Sequence, residues 1–284
     1  MADKKFVLNA DDFGMTSAYN TAILEGYETG ILKSASLVAN GDAYEEAVTK
    51  VIPACPELGV GVHLNIIEGK ALAAEIGLLT DSNGVFNNSY GQMIIKSYQK
   101  KEFLEQAEKE FRAQIEKIKS SGIKPTHIDS HVHTHAIPPL FELVCKLAKE
   151  YEIPQIRTQF ERPYLVPDIL IHLNLKYPVN LIKIALLNSF TIINKPKVKR
   201  YGLTTNDYLL GVGYTSMMSS LTVSSGLYVL KDKKNIVAEA LIHPCRYDDG
   251  TIDGHFREFQ ITRNAKLKSK IETLGYEIGN YLIK

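Results

Sequence analysis

Half of the chain's eight histidines fall within ten residues, THIDSHVHTH at 126–135. If this stretch continues as a β-strand, side chains two residues apart share one face. The groups that would share the face are His127, Asp129, His131, His133 and His135. Neutral imidazole is a common ligand of zinc-like ions, and a neighbouring carboxylate can orient a ligating histidine. The pattern predicts a metal site, with solvated loop histidines as the alternative.

Two further segments place ligand-type residues where strands are expected to end. NADDFGM carries the adjacent carboxylates Asp11 and Asp12, and GVHLN carries His63. In parallel α/β proteins the carboxyl ends of the strands converge on the site. A helix N-cap would explain the Asp pair by itself, and a core histidine would explain His63. Their joint occurrence with the histidine stripe favours one shared site.

Two basic residues also follow short apolar runs. His243, within EALIHPCR, ends the predicted late strand, and its imidazole suits proton donation near neutral pH. Arg157 lies near the end of IPQIRT and is expected to bind a carboxylate or a substrate oxygen, with a surface salt bridge as the alternative. Asp129, His133, His135 and Arg157 are therefore expected around the metal or against the substrate.

The elements that must position these groups alternate along the chain. Short apolar runs at 4–10, 34–39, 58–66, 153–158 and 235–244 predict strands, and THIDSH predicts another. Helical spacing appears at 16–30, 43–52, 101–122 and 138–151, and the chain closes with a helix and a strand. This order predicts a parallel sheet with outer helices, either barrel or doubly wound. Because no GxGxxG or P-loop motif appears, the barrel is favoured.

Composition narrows the class of protein. The 284 residues include 33 Lys and Arg against 32 Asp and Glu, which argues against a nucleic-acid partner. The length fits one domain over 1–284. The three cysteines are far apart and are expected to be reduced. The N-terminus lacks a signal-peptide core, which predicts a cytoplasmic location.

An apolar segment at 165–194 is the most unusual stretch of the sequence. His172, Lys176, Pro178 and Lys183 interrupt it, so no membrane span is expected. We expect helices that pack on the barrel, cover the site or form a contact in a homodimer.

The motifs NADDFG, SLVANG, GVHLN, PTHIDSHVHTH, IRT and AEALIHP together resemble the YdjC-like family of carbohydrate deacetylases, in the same order from residue 9 to 244. The resemblance implies a distorted (β/α) barrel similar to that of polysaccharide deacetylases. It also implies one divalent metal held by Asp12, His63 and His131, with Asp11 as catalytic base and His243 as acid. The implied reaction removes the N-acetyl group from a chitooligosaccharide-like amino sugar and releases acetate.

Several points stay open at this stage. Strand alternation would send Asp11 and Asp12 to opposite sides, unless a turn at Phe13 and Gly14 brings both inward, so ligand and base are exchangeable. Family descriptions favour Mg²⁺, whereas the donors suit Zn²⁺, Co²⁺ or Ni²⁺. The apolar segment suggests a lipid-linked or less polar substrate. A metal-dependent phosphoesterase and a non-catalytic sugar-binding protein are the alternatives.

Overall fold

A parallel sheet forms the centre of the molecule. The computed structural model describes residues 4–167 and 176–282. The strands are β1 (Lys4–Phe13), β2 (Ser34–Leu37), β3 (Gly59–Leu64), β4 (Ile128–Ser130), β5 (Tyr208–Leu210), β6 (Ile236–Ile242) and β7 (Tyr276–Gly279). Most of their residues are buried on both faces, as expected for a parallel sheet covered by helices.

The sheet runs in the order β4-β3-β2-β1-β6-β5, and β7 pairs with the first half of β1. An extended segment at 155–160 lies between the two ends of this order. Ile128 donates its N–H to the Gln155 carbonyl, and Leu209 donates to the Phe160 carbonyl. The segment therefore links to β4 through an isolated bridge and to β5 through the Leu209 hydrogen bond, where the sequence had predicted a regular strand at 153–158. The predicted barrel is confirmed as a curled parallel sheet. The pairing between its two end strands, β4 and β5, through residues 155–160 is irregular.

Helices cover the outside of the sheet. They are α1 (Ser17–Thr29), α2 (residues 44–54, whose central Ala47–Val51 is a π-helix), α3 (Tyr90–Gln99), α4 (Lys101–Ser120), α5 (Pro138–Glu150), α6 (Lys176–Tyr201), α7 (Ser220–Val229), α8 (Gly254–Thr262) and α9 (Ala265–Thr273). Helix α4 follows the predicted spacing, since Phe103, Ala107, Phe111, Ile115 and Ile118 are all buried. The predicted helices at the positions of α1, α2, α4 and α5 are confirmed within a few residues.

Helix α6 contains most of the described part of the apolar segment. Of the predicted 165–194, residues 168–175 lie outside the described residues, and 165–167 are not helical. From Lys176 onward the chain is helical, and Ile184, Leu187 and Phe190 belong to the hydrophobic core. No helix within residues 4–167 and 176–282 is long and apolar enough to cross a membrane.

Candidate metal centre

The carboxyl ends of β1, β4 and β6 meet at one pocket of about 810 Å³. The pocket contains Asp11, Asp12, His131, His133 and His243, together with residues of α6 and α8. Three strand ends that are distant in sequence thus contribute to one cavity. This is the convergence that parallel order predicts.

The turn that brings both Asp side chains to the pocket begins at Asp12 itself. Asp12 has φ of +63°, in the left-handed region, and the β1–β2 register shifts between Ala10 and Phe13. A short polar side chain tolerates this backbone better than most. Strand alternation ends at Asp11, so Asp11 and Asp12 reach the same pocket without pointing to opposite sides of the sheet.

Asp12, His63 and His131 form a compact cluster. Oδ1 of Asp12 lies 2.8 Å from Nδ1 of His131 and 3.3 Å from Nε2 of His63. One ligand atom from each residue lies within 4.8 Å of the other two. Burial alone would raise the pKa of Asp12, but the hydrogen bonds to both imidazoles hold it well below its usual value. The carboxylate is ionised and available to a cation.

The prediction that residues 126–135 form one continuous strand is wrong. β4 ends at Ser130, and residues His131–Ala136 form a 3₁₀ turn in which Val132 and His133 have φ of +52° and +57°. Because the chain leaves the strand at His131, alternation does not govern His133 and His135. The turn instead carries the His131 ring across to Asp12.

Asp129 orients His63 from behind. Its Oδ1 lies 2.7 Å from Nδ1 of His63, on the ring edge opposite Asp12. Burial alone would lower the pKa of His63, but the charge of Asp129 and the hydrogen bonds to Asp12 and Asp129 raise it to about 10. A divalent cation would replace the proton on Nε2, because a metal ligand must be neutral imidazole. The donor set therefore fits one divalent ion, with Asp129 behind the ligand.

Arg157 lies at the centre of the buried charges. Its Nη1 and Nη2 donate to the two oxygens of Asp11, each at 2.7 Å. Nη2 also lies 2.7 Å from Oδ2 of Asp129, and Nε donates to Oε1 of Glu239 at 2.8 Å. The expectation that Arg157 binds a carboxylate is confirmed. The alternative, a salt bridge at the surface, is wrong because the side chain is fully buried.

The Arg157 guanidinium also bears on whether a second group of residues can hold a metal ion. Asp11, His63 and Asp129 have atoms close enough to hold a cation. Nη2 of Arg157 already lies within hydrogen-bonding distance of Asp11 and Asp129. A cation of the chain itself therefore neutralises this position, which favours a single metal at Asp12.

The remaining histidines of the stripe have separate surroundings. His127 bonds Ser36 and Thr126, and burial lowers its pKa to about 4. His135 bonds Ser130, whereas Nδ1 of His133 is buried without a hydrogen-bond partner in the described part of the chain. His133 also lines the pocket.

His243 faces the pocket from the end of β6, backed by Glu258 of α8. Oε2 of Glu258 lies 3.4 Å from Nδ1 of His243 and accepts the backbone N–H of the same residue. Burial alone would lower the pKa of His243, but the hydrogen bond and charge of Glu258, with Asp12 and Asp11, raise it to about 9. The imidazole is therefore protonated at neutral pH.

The sequence interpretation did not include Asn9, Ser36, Glu239 or Glu258. Asn9 donates to Oδ1 of Asp11 and to Oγ of Ser36. Its position two residues before Asp11 was a usable signal, as was the charged Glu239 within the apolar run IVAEALI. Glu258 carries no comparable signal, because its role depends on how α8 packs against β6.

The fold and this cluster define a parallel α/β protein with a candidate metal centre at the carboxyl ends of its strands. A family model described as YdjC-like protein matches residues 5–273, and the chain belongs to that family.

Named relatives and one solved structure agree with this membership. A carbohydrate deacetylase of Brevibacillus brevis is 29% identical over 273 residues, covering 96% of this chain and 94% of that protein. A carbohydrate deacetylase of Clostridium beijerinckii is 41% identical over 150 residues, covering 53% of this chain but only 58% of that protein. The crystal structure of a putative cellobiose-phosphate cleavage protein from Enterococcus faecalis has a TM-score of 0.75 at 24% identity, covering 98% of both chains. This structural likeness shows the shared fold.

Proposed function

We propose that the protein is a metal-dependent deacetylase that removes the N-acetyl group from an acetylated amino sugar of the chitooligosaccharide type. The observation that carries the proposal is the Asp12, His63 and His131 cluster, of which Asp12 and His131 line the same pocket as Asp11 and His243. Relatives named carbohydrate deacetylase support the reaction class.

Asp12, His63 and His131 would hold the metal, with Asp129 fixing the His63 ring. A divalent ion at this position lowers the pKa of water and polarises the acetyl carbonyl. Two imidazoles and one carboxylate suit Zn²⁺, Co²⁺ or Ni²⁺ better than Mg²⁺, which prefers oxygen ligands.

Asp11 is assigned as the base. Burial alone would raise its pKa, but the charge of Arg157 lowers it, so the carboxylate stays ionised. Its Oδ1 accepts from Arg157 and Asn9, while Oδ2 accepts from Arg157. Because a carboxylate oxygen has two lone pairs, Oδ2 retains a direction in which it can take the proton of the attacking water.

His243 is assigned as the acid. Amide nitrogen is a poor leaving group unless it is protonated, and His243 carries a proton at neutral pH. As the carbon–nitrogen bond breaks, the imidazole gives its proton to the departing nitrogen. The products are acetate and the free amino sugar.

The deciding experiment measures acetate release from N,N'-diacetylchitobiose and longer oligomers by metal-stripped protein, with Mg²⁺, Zn²⁺, Co²⁺ or Ni²⁺ restored one at a time. We expect release that depends on the ion and is lost in His131→Ala. His133→Ala serves as a comparison, because His133 lines the pocket but is not part of the cluster.

Two outcomes would redirect the proposal. Two metal ions per chain, together with phosphate-ester cleavage, would support the phosphoesterase alternative. Sugar binding with one bound metal but without acetate release from any acetylated sugar would support the non-catalytic alternative.

A further inference from the structure

The outer face of α6 is apolar and exposed to solvent. Val179, Ile182, Leu186 and Ile193 follow one another at helical spacing, with Ile192 beside them. Ile182 is 72% exposed, Ile192 69%, Val179 52% and Ile193 51%. Single exposed apolar residues are ordinary on protein surfaces, but an apolar stripe over about four helical turns, interrupted only at Ser189, indicates a binding surface.

The charges of α6 identify the kind of surface it would meet. The helix contains six of the chain's 33 Lys and Arg residues and none of its 32 Asp and Glu residues. The rest of the chain therefore carries a net negative formal charge. Lys197 and Arg200 pair with Glu142 of α5, whereas Lys195 and Lys199 are exposed. Apolar side chains combined with lysines are typical of helices that lie in the interface of an anionic membrane.

The apolar stripe of α6 adjoins the candidate active site. Lys183, Leu186 and Leu187 line the same pocket as Asp11, Asp12 and His243. Val132 also lines the pocket and is 50% exposed, although a β-branched residue at φ of +52° is unusual. The rim of the pocket is thus apolar on the side where α6 begins its outer face.

We propose that the outer face of α6 lies on an anionic membrane surface and that the pocket beside it receives an amino sugar carried by a membrane lipid. The second part rests on the proposed deacetylase function. The isoleucines would enter the boundary between headgroups and acyl chains, and the lysines would contact anionic headgroups. The lipid part of the substrate would pass along Leu186 and Val132, leaving the acetylated sugar at the metal centre.

Membrane binding is tested without reference to activity. The full chain is mixed with phosphatidylcholine vesicles that contain or lack phosphatidylglycerol, and the bound fraction is measured by flotation. We expect binding to the anionic vesicles, weaker binding as salt is raised, and little binding to the neutral ones.

Two pairs of substitutions separate the apolar and the charged contributions. Ile182→Gln with Ile193→Gln is expected to weaken binding about tenfold or more, by removing apolar area from the interface. Lys195→Gln with Lys199→Gln is expected to weaken it about fivefold per lysine. Ile95→Gln, at an isoleucine 56% exposed on α3, is the matched control and leaves binding unchanged.

The substrate part is tested by comparing acetate release from a soluble N-acetylated oligosaccharide and from the same sugar on a lipid in anionic vesicles. We expect a higher kcat/KM for the vesicle-borne sugar. That advantage falls about tenfold in the Ile182→Gln, Ile193→Gln variant, while the soluble rate is unchanged.

Other outcomes overturn the proposal in distinguishable ways. Equal binding by the double isoleucine variant and the wild type, or no binding to either vesicle, rejects the membrane surface. A dimer that the same variant converts to a monomer, without vesicle binding, assigns the face to a second copy. Vesicle binding without acetate release from either sugar rejects the substrate and the deacetylase function together, but keeps the docking surface.

Discussion

The Arg157 network and the outer face of α6 both reverse the usual distribution of side chains, but in opposite ways. Arg157 is a fully buried charge whose guanidinium meets Asp11, Asp129 and Glu239. On α6, Ile182 and Ile192 are exposed aliphatic side chains. The buried charges find their counter-ions within the chain, whereas exposed apolar area gains free energy only from something outside it. The first region is complete in itself, and the second indicates a partner.

The largest effect should come from removing the charge at the centre of the network. Arg157→Met leaves three carboxylates buried without their cation, and we expect the free energy of unfolding to fall by about 3–5 kcal/mol. The measurement is urea unfolding at neutral pH. Arg112→Met is the matched control, because Arg112 also bridges two carboxylates, Glu108 and Glu150, but at the surface, where the loss is about 0–1 kcal/mol. Equal losses in both variants would remove the distinction between the network and an ordinary surface ion pair.

Asp129→Asn sharpens the comparison within the network, because it keeps an oxygen near His63 but removes the charge. We expect metal affinity to fall about 10–100-fold, since groups behind a ligating histidine typically have effects of this size. Calorimetric titration with Zn²⁺ gives the affinity, and urea unfolding checks that the variant is folded. Asp81→Asn, at an exposed carboxylate, should bind as the wild type does, and an unchanged affinity in Asp129→Asn would contradict the orienting role.

The pH dependence tests the second charged pair at the pocket. Because the pKa of His243 is raised to about 9, activity that needs its proton should persist at neutral pH and decline as pH rises through that value. Glu258→Gln removes the main attractive charge and should move the decline toward the ordinary histidine pKa of about 6.5, giving about thirtyfold lower kcat/KM at pH 8. The sign follows because the acid works only when protonated. A pH profile of kcat/KM that is the same in both proteins would exclude this role for Glu258.

The same raised pKa has a consequence for stability. A histidine whose folded pKa exceeds its unfolded value adds stability that is fully present below about 6.5 and is lost as pH rises through about 9. The difference in unfolding free energy between wild type and Glu258→Gln should therefore shrink across that window. Denaturant titrations at several pH values measure it.

The smallest effect is expected on the outer face of α6. Ile182→Ala should change the free energy of unfolding by about 0.5 kcal/mol or less, because the side chain is already in water. Ile184→Ala, two residues along and 3% exposed, should cost about 2–5 kcal/mol. Similar losses at both positions would mean that the outer face is packed in solution, and the contrast with the Arg157 network would fail.

The positions of the site residues followed from sequence because they depend on simple geometry. Parallel strands bring Asp12, His63 and His243 to one edge wherever the strands begin. Helices α3 and α7, which were not predicted, also carry local signals, since Ser89 and Ser219 form capping boxes at their starts. These features are local or periodic, and the sequence records them.

The remaining geometry of the site depends on backbone conformations that produce no recognisable sequence pattern. Asp12, Val132 and His133 adopt positive φ without being glycine, and these residues decide where the strands stop and how His131 reaches Asp12. Tertiary contacts, and not local preference, hold such conformations. For the same reason, the partners of Arg157 were not predictable, because Asp11 and Glu239 are distant from it in sequence.

The extended segment that carries Arg157 also joins β4 to β5, which gives the network a meaning for the evolution of this fold. Asp11 neutralises the arginine at the seam where the strands close, so selection for a stable fold and selection for the proposed catalysis would act on the same carboxylate. A descendant that lost its activity would still retain Asp11, whereas Asp12, with its left-handed backbone beside the two imidazoles, would be free to drift. Among relatives, the loss of Asp12 is therefore a better mark of a lineage that has abandoned the chemistry than the loss of Asp11.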